Sequence, residues 1–327
     1  MERRGDSALD AGIVQSVAVA AVSAEIPQEI PNFEPTIVNR PARAAKRTLK
    51  TVVFNARTGA RFDGILARLR RPPLADADVI MLCEADWRMR RSAGREIAAD
   101  LAAALGMSFV YGPEFASRRS SRPGSAFLGN AILSSAPLTE ARLIALPDAP
   151  RRRRTWLIGQ PRALVATADF GGRPITVAVA HLHSRWHPAG RARQMATVLE
   201  GLAPIAATIL GGDFNTTTTR LDTPSSIAMV AAQMALHPRR FRYPERYEPL
   251  FELLGDAGFN VDGANVAGKP TFTFSRMVPP PLRPKLDWIA LRGLTPVPGS
   301  ARVIAASGSL LGKRLSDHDF VMCEVRL

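Results

Sequence analysis

The chain has 327 residues, of which 46% are hydrophobic and 22% charged, and its formal net charge is +14. This length and composition are typical of a globular protein with one large α/β domain or two small ones. No apolar run approaches the length of a membrane span, so we expect no transmembrane segment. The basic balance predicts a polyanionic partner such as nucleic acid, phospholipid headgroups or another phosphate-rich molecule.

Residues 1–47 are predicted to form a disordered or loosely docked N-terminal arm. Four prolines interrupt regular structure there, and the end of the arm is basic. A basic arm can contact nucleic acid or a membrane surface, but a solvated tail is the simpler interpretation. The apolar stretch at residues 12–24 is interrupted by Gln15 and follows the acidic Asp6 and Asp10, which argues against a signal peptide. We therefore expect a cytoplasmic protein.

From residue 48 onward, strand-like apolar runs alternate with amphipathic helical segments. Helical spacing of apolar residues predicts helices over residues 62–69, 97–105 and 189–202, the second of them closed by Gly106. The strand-like runs lie at residues 51–53, 78–82, 129–134, 164–169, 175–180, 208–210, 285–291 and 320–322. Adjacent strand pairs predict mixed sheets rather than one doubly wound parallel sheet.

Polar side chains lie in these runs or at their ends, in a defined order along the chain. They are Asn55, Glu84, His181, Asp213, Asn215, Asp287, Asp317 and His318. Polar groups that end buried strands converge at one sheet edge, where a metal-binding or water-activating site can form. A lone Gly-Asp-x-Asn motif, such as that at residues 212–215, is equally typical of a turn. It is the ordered set that indicates a site.

This ordered set resembles the endonuclease/exonuclease/phosphatase superfamily over about residues 48–327. The resemblance implies one catalytic domain over that range with an α/β fold, a four-layer α/β/β/α sandwich of two mixed β-sheets flanked by helices. Some abasic endonucleases of the family have an acidic residue at the position that Arg57 occupies in this chain. His181 matches the deoxyribonuclease and sphingomyelinase branches, so both positions point away from abasic-site repair.

The predicted metal ligands are Asn55, Glu84 and Asp317. A carboxylate at a strand end offers hard oxygen donors, which suit Mg²⁺ or Mn²⁺. The resemblance places Asn55 beside that ion, where its carbonyl binds the metal or orients Glu84. Asp317 is expected to complete the metal site.

The predicted catalytic residues are His181, Asp213, Asn215, Asp287 and His318. Asp213 is expected to orient or deprotonate the attacking water, and Asn215 to donate to a phosphate oxygen. Asp287 fixes the imidazole of His318, which can then donate to the phosphate or transfer a proton. The sequence leaves open whether Asp213 or His318 is the base. His181 matches the family's histidine at the end of a strand.

Two alternatives concern the histidines and cysteines. His181, His183 and His187 could bind zinc, but no cysteine is near and the carboxylates favour a hard cation. Cys83 and Cys323 both lie in apolar runs, so we expect buried reduced thiols, and a disulfide between two strands is the alternative.

Three arginine-rich segments, residues 117–124, 151–154 and 216–249, are predicted to be loops over the site. Charge runs are usually solvated, but an arginine at the border of the site would bind phosphate in a bidentate manner. The sequence therefore predicts a monomeric, metal-dependent phosphoesterase that acts on a nucleic acid or a phospholipid or inositol phosphate headgroup through direct attack of water. The alternative is a non-catalytic polyanion-binding protein on the same fold.

Overall fold

A computed structural model of the protein describes residues 33–44, 46–120, 124–148, 157–204, 206–218, 228, 232, 236–273, 283–307 and 313–327. None of the helices in these ranges has the length and apolar character that crossing a membrane requires. Residues 1–32 of the predicted arm and the arginines at residues 151–154 lie outside the described residues.

The strands of the described residues are β1 (Thr36–Val38), β2 (Thr48–Thr58), β3 (Val79–Trp87), β4 (Ser108–Ser117), β5 (Phe127–Ser134), β6 (Leu138–Ala145), β7 (Leu157–Gly159), β8 (Arg162–Asp169), β9 (Pro174–Val179), β10 (Thr208–Asp213), β11 (Asp287–Arg292), β12 (Thr295–Pro296), β13 (Arg302–Ile304) and β14 (Phe320–Arg326). They form two mixed sheets. The first has the order β1-β4-β5-β3-β2-β14-β12, with β7 beside β4 and β13 beside β14. The second has the order β11-β10-β9-β8-β6.

The helices in the described ranges are α1 (Phe62–Leu69), α2 (Ile97–Leu105), α3 (Pro188–Glu200), α4 (Pro238–Arg242) and α5 (Pro249–Asp256). The first two begin and end as predicted, and α3 begins one residue before the predicted start. Gly106 follows α2 with φ of +64°, a left-handed conformation that glycine adopts without steric cost. The prediction of a loop over residues 216–249 was wrong for part of its length, because α4 and the 3-10 helix Pro244–Arg246 lie within it.

Three hydrophobic clusters separate four layers. Alternate residues of β2 face different clusters: Val52 packs with α1 and α2, whereas Val53 lies between the two sheets. On the far side of the second sheet, Leu210 of β10 packs with Met195 of α3 and Leu254 of α5. The layers are therefore helices, sheet, sheet and helices, which confirms the predicted α/β/β/α sandwich. Strands buried on both faces are apolar at successive positions, and this made the central strands visible in the sequence.

Several strands were not predicted from the sequence. They are β1, β4, β6, β7, β12 and β13. Strand β6 lies at the edge of its sheet, and most of its residues are exposed or only partly buried. Strand β4 is buried, but Gly112 and Pro113 interrupt its sequence, and both residue types are uncommon in strands. Cys83 and Cys323 are free and buried, as expected.

Strand β1 lies within the segment predicted as the N-terminal arm. It pairs antiparallel with β4, with Thr36 opposite Tyr111. Asn39 Nδ2 then donates to the carbonyl of Leu138 at 2.9 Å, and Arg43 Nη2 donates to the carbonyl of Leu105 at 2.6 Å. The described part of the arm thus joins the folded domain, and Pro31–Leu327 forms one compact unit. A disordered or loosely docked arm stays a prediction for residues 1–32.

Candidate active site

The predicted site residues meet at one edge of the sandwich, where strands of both sheets end. In the second sheet, Asp213 of β10 is the register partner of Asp287 of β11. Asn55 Nδ2 of β2 donates across to Asp213 Oδ2 at 3.0 Å, and this contact joins the two sheets. The same amide nitrogen lies 3.2 Å from Glu84 Oε1 of β3. Side chains from four strands therefore share one small volume.

The glycine pair before Asp213 allows this close approach. A Cβ at Gly211 would lie 2.7 Å from side-chain atoms of Met81 and Val53 in the opposite sheet. A Cβ at Gly212, whose φ is +137°, would lie 2.1 Å from the carbonyl oxygen of Ala180 in the backbone that follows β9. Both contacts are shorter than van der Waals distance, so any side chain would force the strands apart. The two glycines set how near Asp213 comes to the first sheet and to His181.

Irregularities in β2 and β3 direct Asn55 and Glu84 into the site. The sequence suggested that β2 ends at Asn55 and β3 at Glu84. Both strands instead continue beyond these residues with a register shift. Arg57, Thr58 and Glu84 have φ of 44°, 74° and 52°, in the left-handed region that non-glycine residues rarely adopt. A bulge turns a side chain away from the regular alternation of a strand, and bulges are frequent at active sites.

His318 lies between two carboxylates. Its Nδ1 is 2.8 Å from Asp287 Oδ2, and its Nε2 is 3.6 Å from Asp213 Oδ2. Burial lowers the pKa of His318, but Asp287 and Asp213 outweigh it and raise that pKa to about 10. The ring is therefore a charged imidazolium at neutral pH, with its orientation fixed by Asp287. Phe272 packs edge-on against the ring at 4.9 Å between centroids.

Asp213 is the central carboxylate of the site. It accepts hydrogen bonds from Asn55 Nδ2 and, through Oδ1, from the backbone N–H of Asn215 at 3.0 Å. Burial raises the pKa of Asp213 to about 6, against the opposing effect of His318. A carboxylate with a pKa near the working pH is suited to take a proton from water.

His181 also lies close to Asp213. Its Nε2 is 3.6 Å from Asp213 Oδ2 and 4.0 Å from Glu84 Oε1. Burial lowers the pKa of His181, but Asp213, Glu84 and Glu114 together raise it above the usual value. Two imidazoles therefore approach the same oxygen of Asp213, and the surrounding carboxylates favour the charged form of both rings.

The predicted metal ligands Asn55, Glu84 and Asp317 all carry oxygen donors. Glu84 and Asp317 are partly exposed, with side-chain exposures of 29% and 25%, so both can bind an ion that enters from solvent. Ser316 Oγ donates to the backbone carbonyl of Asn55 at 2.8 Å and thereby holds the chain before Asp317 beside β2. Arg57 Nε lies 3.4 Å from Asp317 Oδ2, so a metal there would compete with a guanidinium. Oxygen donors of this kind match Mg²⁺ or Mn²⁺.

A second group of side chains also has the spacing of metal ligands. One potential ligand atom each from Asp213, Asp287 and His318 lies within 4.8 Å of the others. His318 Nδ1 lies 2.8 Å from Asp287 Oδ2, so this nitrogen is already engaged within the group, and Nε2 faces Asp213 Oδ2 at 3.6 Å. The three side chains therefore form one connected polar unit.

The described histidines give no support to the zinc alternative. His187 Nδ1 accepts from the backbone N–H of Gly190 at 3.1 Å and caps the start of α3. His183 Nε2 instead lies 3.7 Å from Asp148 Oδ1. Among the described residues, the three histidines do not form a metal-binding group.

A model of the endonuclease/exonuclease/phosphatase family matches residues 52–318. The chain belongs to this family. No curated protein sequence matches it significantly. Among solved structures, an endonuclease/exonuclease/phosphatase protein from Beutenbergia cavernae is 18% identical with a TM-score of 0.57, over 86% of this chain and 72% of that one.

Two further solved structures with this fold contain a ligand. D. rerio TDP2 in complex with a single-strand DNA product is 18% identical with a TM-score of 0.52, over 86% of this chain and 100% of that one. The human Nocturnin catalytic domain with a bound sulfate anion is 17% identical with a TM-score of 0.52, over 90% of this chain and 97% of that one. At these identities the likeness shows the endonuclease/exonuclease/phosphatase fold alone.

Glu114 of β4 was not predicted to belong to the site. It is buried, and its Oε1 accepts from the backbone N–H of Arg162 at 3.0 Å. Burial raises the pKa of Glu114 to about 7, while the nearby His181 opposes the rise. The only signal in the sequence was a glutamate that directly follows Pro113 in a family-like stretch, which is too weak to assign a role.

A buried ion pair behind the site was also missed. Arg191 of α3 donates through Nη2 to Glu248 Oε1 at 2.5 Å, and the arginine is fully buried. Arg191 Nη1 donates to the carbonyl of Thr218 at 2.8 Å, and Glu248 Oε1 accepts from the backbone N–H of Thr217 at 2.7 Å. The pair thus holds the segment that directly follows Asn215.

Proposed function

We propose that this protein is a metal-dependent phosphoesterase that hydrolyses a phosphate ester by direct in-line attack of an activated water. The observation that carries the proposal is the placement of His318 between Asp287 and Asp213, beside the oxygen donors of Asn55 and Glu84. Phosphoryl transfer needs charge neutralisation, a positioned water and donors for the phosphoryl oxygens, and this arrangement can supply all three.

Asn55, Glu84 and Asp317 would hold Mg²⁺ or Mn²⁺. When bound there, such an ion supplies positive charge that neutralises the phosphate and stabilises the leaving oxygen. Asn55 has a second role that the structure supports directly, because its amide nitrogen donates to both Glu84 and Asp213. It therefore fixes the distance between the metal-binding carboxylate and the carboxylate assigned to water.

Asp213 is the proposed base. It is buried, its pKa is raised to about 6, and its Oδ2 lies between His181 and His318. We therefore assign the general-base role to Asp213 rather than to His318, whose raised pKa keeps it protonated.

His318 and His181 are the proposed donors to the phosphoryl oxygens. Neighbouring carboxylates raise the pKa of both rings and so favour their charged forms, which make the stronger hydrogen bonds. Asn215 Nδ2 donates to the Leu182 carbonyl at 2.8 Å, and its second amide hydrogen is the proposed donor to a phosphate oxygen. A thiol intermediate is not part of the proposal, because Cys83 is buried and burial raises the pKa of its thiol.

A hydrolysis panel tests this function. The purified protein would be assayed with Mg²⁺, Mn²⁺ or EDTA on bis-p-nitrophenyl phosphate, single-stranded and supercoiled DNA, RNA, sphingomyelin and phosphoinositides. We expect turnover that requires metal and that falls at least about 100-fold in both Asp213→Ala and His318→Ala. Glu252→Ala, which removes an exposed carboxylate from α5, serves as the matched control and should retain full activity.

Two results would contradict the proposal. Turnover that persists in EDTA would exclude the metal role of Glu84 and Asp317. Absence of turnover on every substrate by a folded, metal-loaded protein would favour the non-catalytic polyanion-binding alternative.

A further inference from the structure

Arg57 contacts two of the three residues that are predicted to bind the metal ion. Its backbone N–H donates to Asn55 Oδ1 at 2.9 Å, and its guanidinium Nε lies 3.4 Å from Asp317 Oδ2. The third predicted ligand, Glu84, faces the amide nitrogen of Asn55 at 3.2 Å. A positively charged side chain of the protein itself therefore lies against a carboxylate oxygen that is predicted to bind a cation.

The backbone that carries Arg57 is fixed in an unusual conformation. Arg57, Thr58 and Gly59 have φ of 44°, 74° and 75°, and this left-handed region costs energy for the two residues that are not glycine. A Cβ at Gly59 would lie 2.6 Å from the side chain of Ile97, so α2 packs directly against this turn. Strained backbone persists where the surrounding structure holds it, and it is frequent at functional sites.

The side chain of Arg57, in contrast to its backbone, is only weakly held. It is 64% exposed, and that of Asp317 is 25% exposed. Exposed ion pairs contribute little to stability, because water and salt screen the two charges. The guanidinium can therefore leave Asp317 at a small cost while the fixed backbone keeps Arg57 at the site.

A second arginine near Asp317 is engaged elsewhere. Arg314 Nη2 donates to Asp319 Oδ1 at 2.6 Å, and its Nε donates to the backbone carbonyl of Ser316 at 2.9 Å. Ser316 Oγ lies 3.3 Å from the other carboxylate oxygen of Asp317, Oδ1. Within the described part of the chain, Arg57 is thus the basic residue that pairs with the Asp317 carboxylate.

A cation and a phosphate make opposite demands on this contact. A divalent cation held by Asp317 needs the carboxylate that Arg57 now neutralises. A phosphate needs cationic donors, and the in-plane N–H groups of a guanidinium match its oxygens in a bidentate manner. Transfer of Arg57 from Asp317 to a phosphate therefore meets both demands.

We propose that Arg57 pairs with Asp317 in the absence of ligands and moves to the phosphate group of the substrate, which makes Asp317 available to the divalent cation. This inference rests on the metal-dependent function proposed above. Arg57 is a positioning residue in this role, since it determines when Asp317 can bind. Phosphate and cation are thereby coupled, and each tightens the binding of the other by the same factor.

Binding of Mn²⁺ to the full chain tests the proposal, with electron paramagnetic resonance of the free ion as the readout. Arg57→Gln keeps the backbone N–H that contacts Asn55 but removes the guanidinium from Asp317. Without phosphate, we expect this variant to bind Mn²⁺ at least about fivefold more tightly than the wild type, because the competing charge is gone. Arg57→Lys retains a charge that can pair with Asp317 and should resemble the wild type.

The same titration at saturating inorganic phosphate measures the coupling. The factor by which phosphate tightens Mn²⁺ binding should be about fivefold smaller in Arg57→Gln than in the wild type, because Asp317 is already available in the variant. A titration without protein corrects for the Mn²⁺ that phosphate itself binds. A fixed positive charge at residue 57 would weaken Mn²⁺ binding but leave the coupling factor unchanged, so this readout separates movement of the side chain from a simple charge effect.

Two further variants serve as controls, and every variant is checked for folding by thermal melting. Arg173→Gln removes the same charge from an exposed position between β8 and β9, at the end of β9 opposite His181, and should change neither the Mn²⁺ affinity nor the coupling factor. Asp317→Asn removes the shared carboxylate. Addition of Arg57→Gln to Asp317→Asn should then not tighten Mn²⁺ binding.

Unchanged Mn²⁺ affinity or an unchanged coupling factor in Arg57→Gln would overturn the proposal. Equal tightening in Arg173→Gln would reduce the effect to net charge and overturn it as well. None of these measurements needs turnover. If Arg57→Gln behaves as expected but the hydrolysis panel shows no activity, the assignment of Arg57 stands and the phosphoesterase assignment fails. Metal-dependent turnover without an effect of Arg57 on Mn²⁺ binding gives the reverse result, and absence of Mn²⁺ binding in every variant contradicts both.

Discussion

His318 depends on Asp287 for its charge and its orientation, so the two residues should act as one unit. The neutral isostere in Asp287→Asn removes the carboxylate that contacts Nδ1 at 2.8 Å. We expect kcat on bis-p-nitrophenyl phosphate to fall about 100-fold to 10,000-fold in both Asp287→Asn and His318→Gln. The kcat of the double variant should be close to that of the less active single variant, because the losses caused by residues that act as one unit are not additive. If the two fold-losses in kcat multiply in the double variant, the residues act separately.

Lys285 should make stability depend on pH in the alkaline range. The side chain is buried, its Nζ lies 3.8 Å from the Trp288 ring centroid, and burial lowers its pKa from 10.5 to about 8. Between these pH values the unfolded chain binds more protons than the folded protein, so the contribution of Lys285 to stability rises with pH. It is complete above pH 10.5 and is lost as the pH falls through about 8.

The measurement is urea unfolding of the wild-type protein and Lys285→Met from about pH 8 to 10.5. The wild-type free energy of unfolding should increase relative to that of the variant across this range, by on the order of 3 kcal/mol. Lys269→Met, which removes an exposed lysine of the same region, should run parallel to the wild type. A constant difference between the wild type and Lys285→Met would mean that Lys285 titrates normally in the folded protein.

At the scale of elements, α3 and the loop after β10 are joined by the ion pair of Arg191 and Glu248. Removal of one partner leaves a buried charge without a counter-ion, and we expect Glu248→Gln to lower the free energy of unfolding by about 3–5 kcal/mol. The double variant Arg191→Met/Glu248→Leu should recover most of that loss, because apolar residues of similar volume can replace a buried pair.

Measurements of kcat distinguish the contribution of this pair to stability from its role in positioning the segment after Asn215. The double variant loses the acceptor for the Thr217 N–H, whereas Glu248→Gln keeps an amide oxygen that can accept from it, so the double variant should have the lower kcat even where it is stable. Glu252→Gln on the exposed face of α5 is the control for both measurements, with a change in stability below about 0.5 kcal/mol. Full activity in the stable double variant would show that the segment after Asn215 holds its position without Glu248.

The elements also show what the sequence could predict and what it could not. Central strands such as β2, β3 and β10 are buried on both faces, so their apolar runs and the polar residues near their ends were visible. The bulges at Arg57 and Glu84 were not, because a register shift depends on the neighbouring strand and not on the local sequence. Arg191 and Glu248 are 57 residues apart, and no local pattern links them. The roles of the individual site residues remain predictions until variants are measured.

At the scale of the whole molecule, the structure extends the folded domain toward the N-terminus beyond the predicted start at residue 48. Strand β1 covers the outer edge of β4, and Asn39 makes two hydrogen bonds with Leu138 at 2.9 Å and 2.8 Å. The guanidinium carbon of Arg162 lies 4.1 Å from the ring centroid of Phe33, and the backbone N–H of Arg162 donates to Glu114. These contacts tie residues 33–44 to both sheets.

Two deletions locate the boundary of the domain. Deletion of residues 1–32 keeps all of these contacts, and we expect unchanged thermal stability and unchanged turnover of bis-p-nitrophenyl phosphate. Deletion of residues 1–47 removes β1 with the bonds of Asn39 and Arg43, which should cost at least about 3 kcal/mol at about 1 kcal/mol for each net hydrogen bond. It also exposes the edge of β4, and an unpaired strand edge promotes aggregation. Differential scanning calorimetry and light scattering measure both effects. Equal melting of the two deletions would return the boundary to residue 48, whereas a loss already present on removal of residues 1–32 would make the arm part of the folded unit.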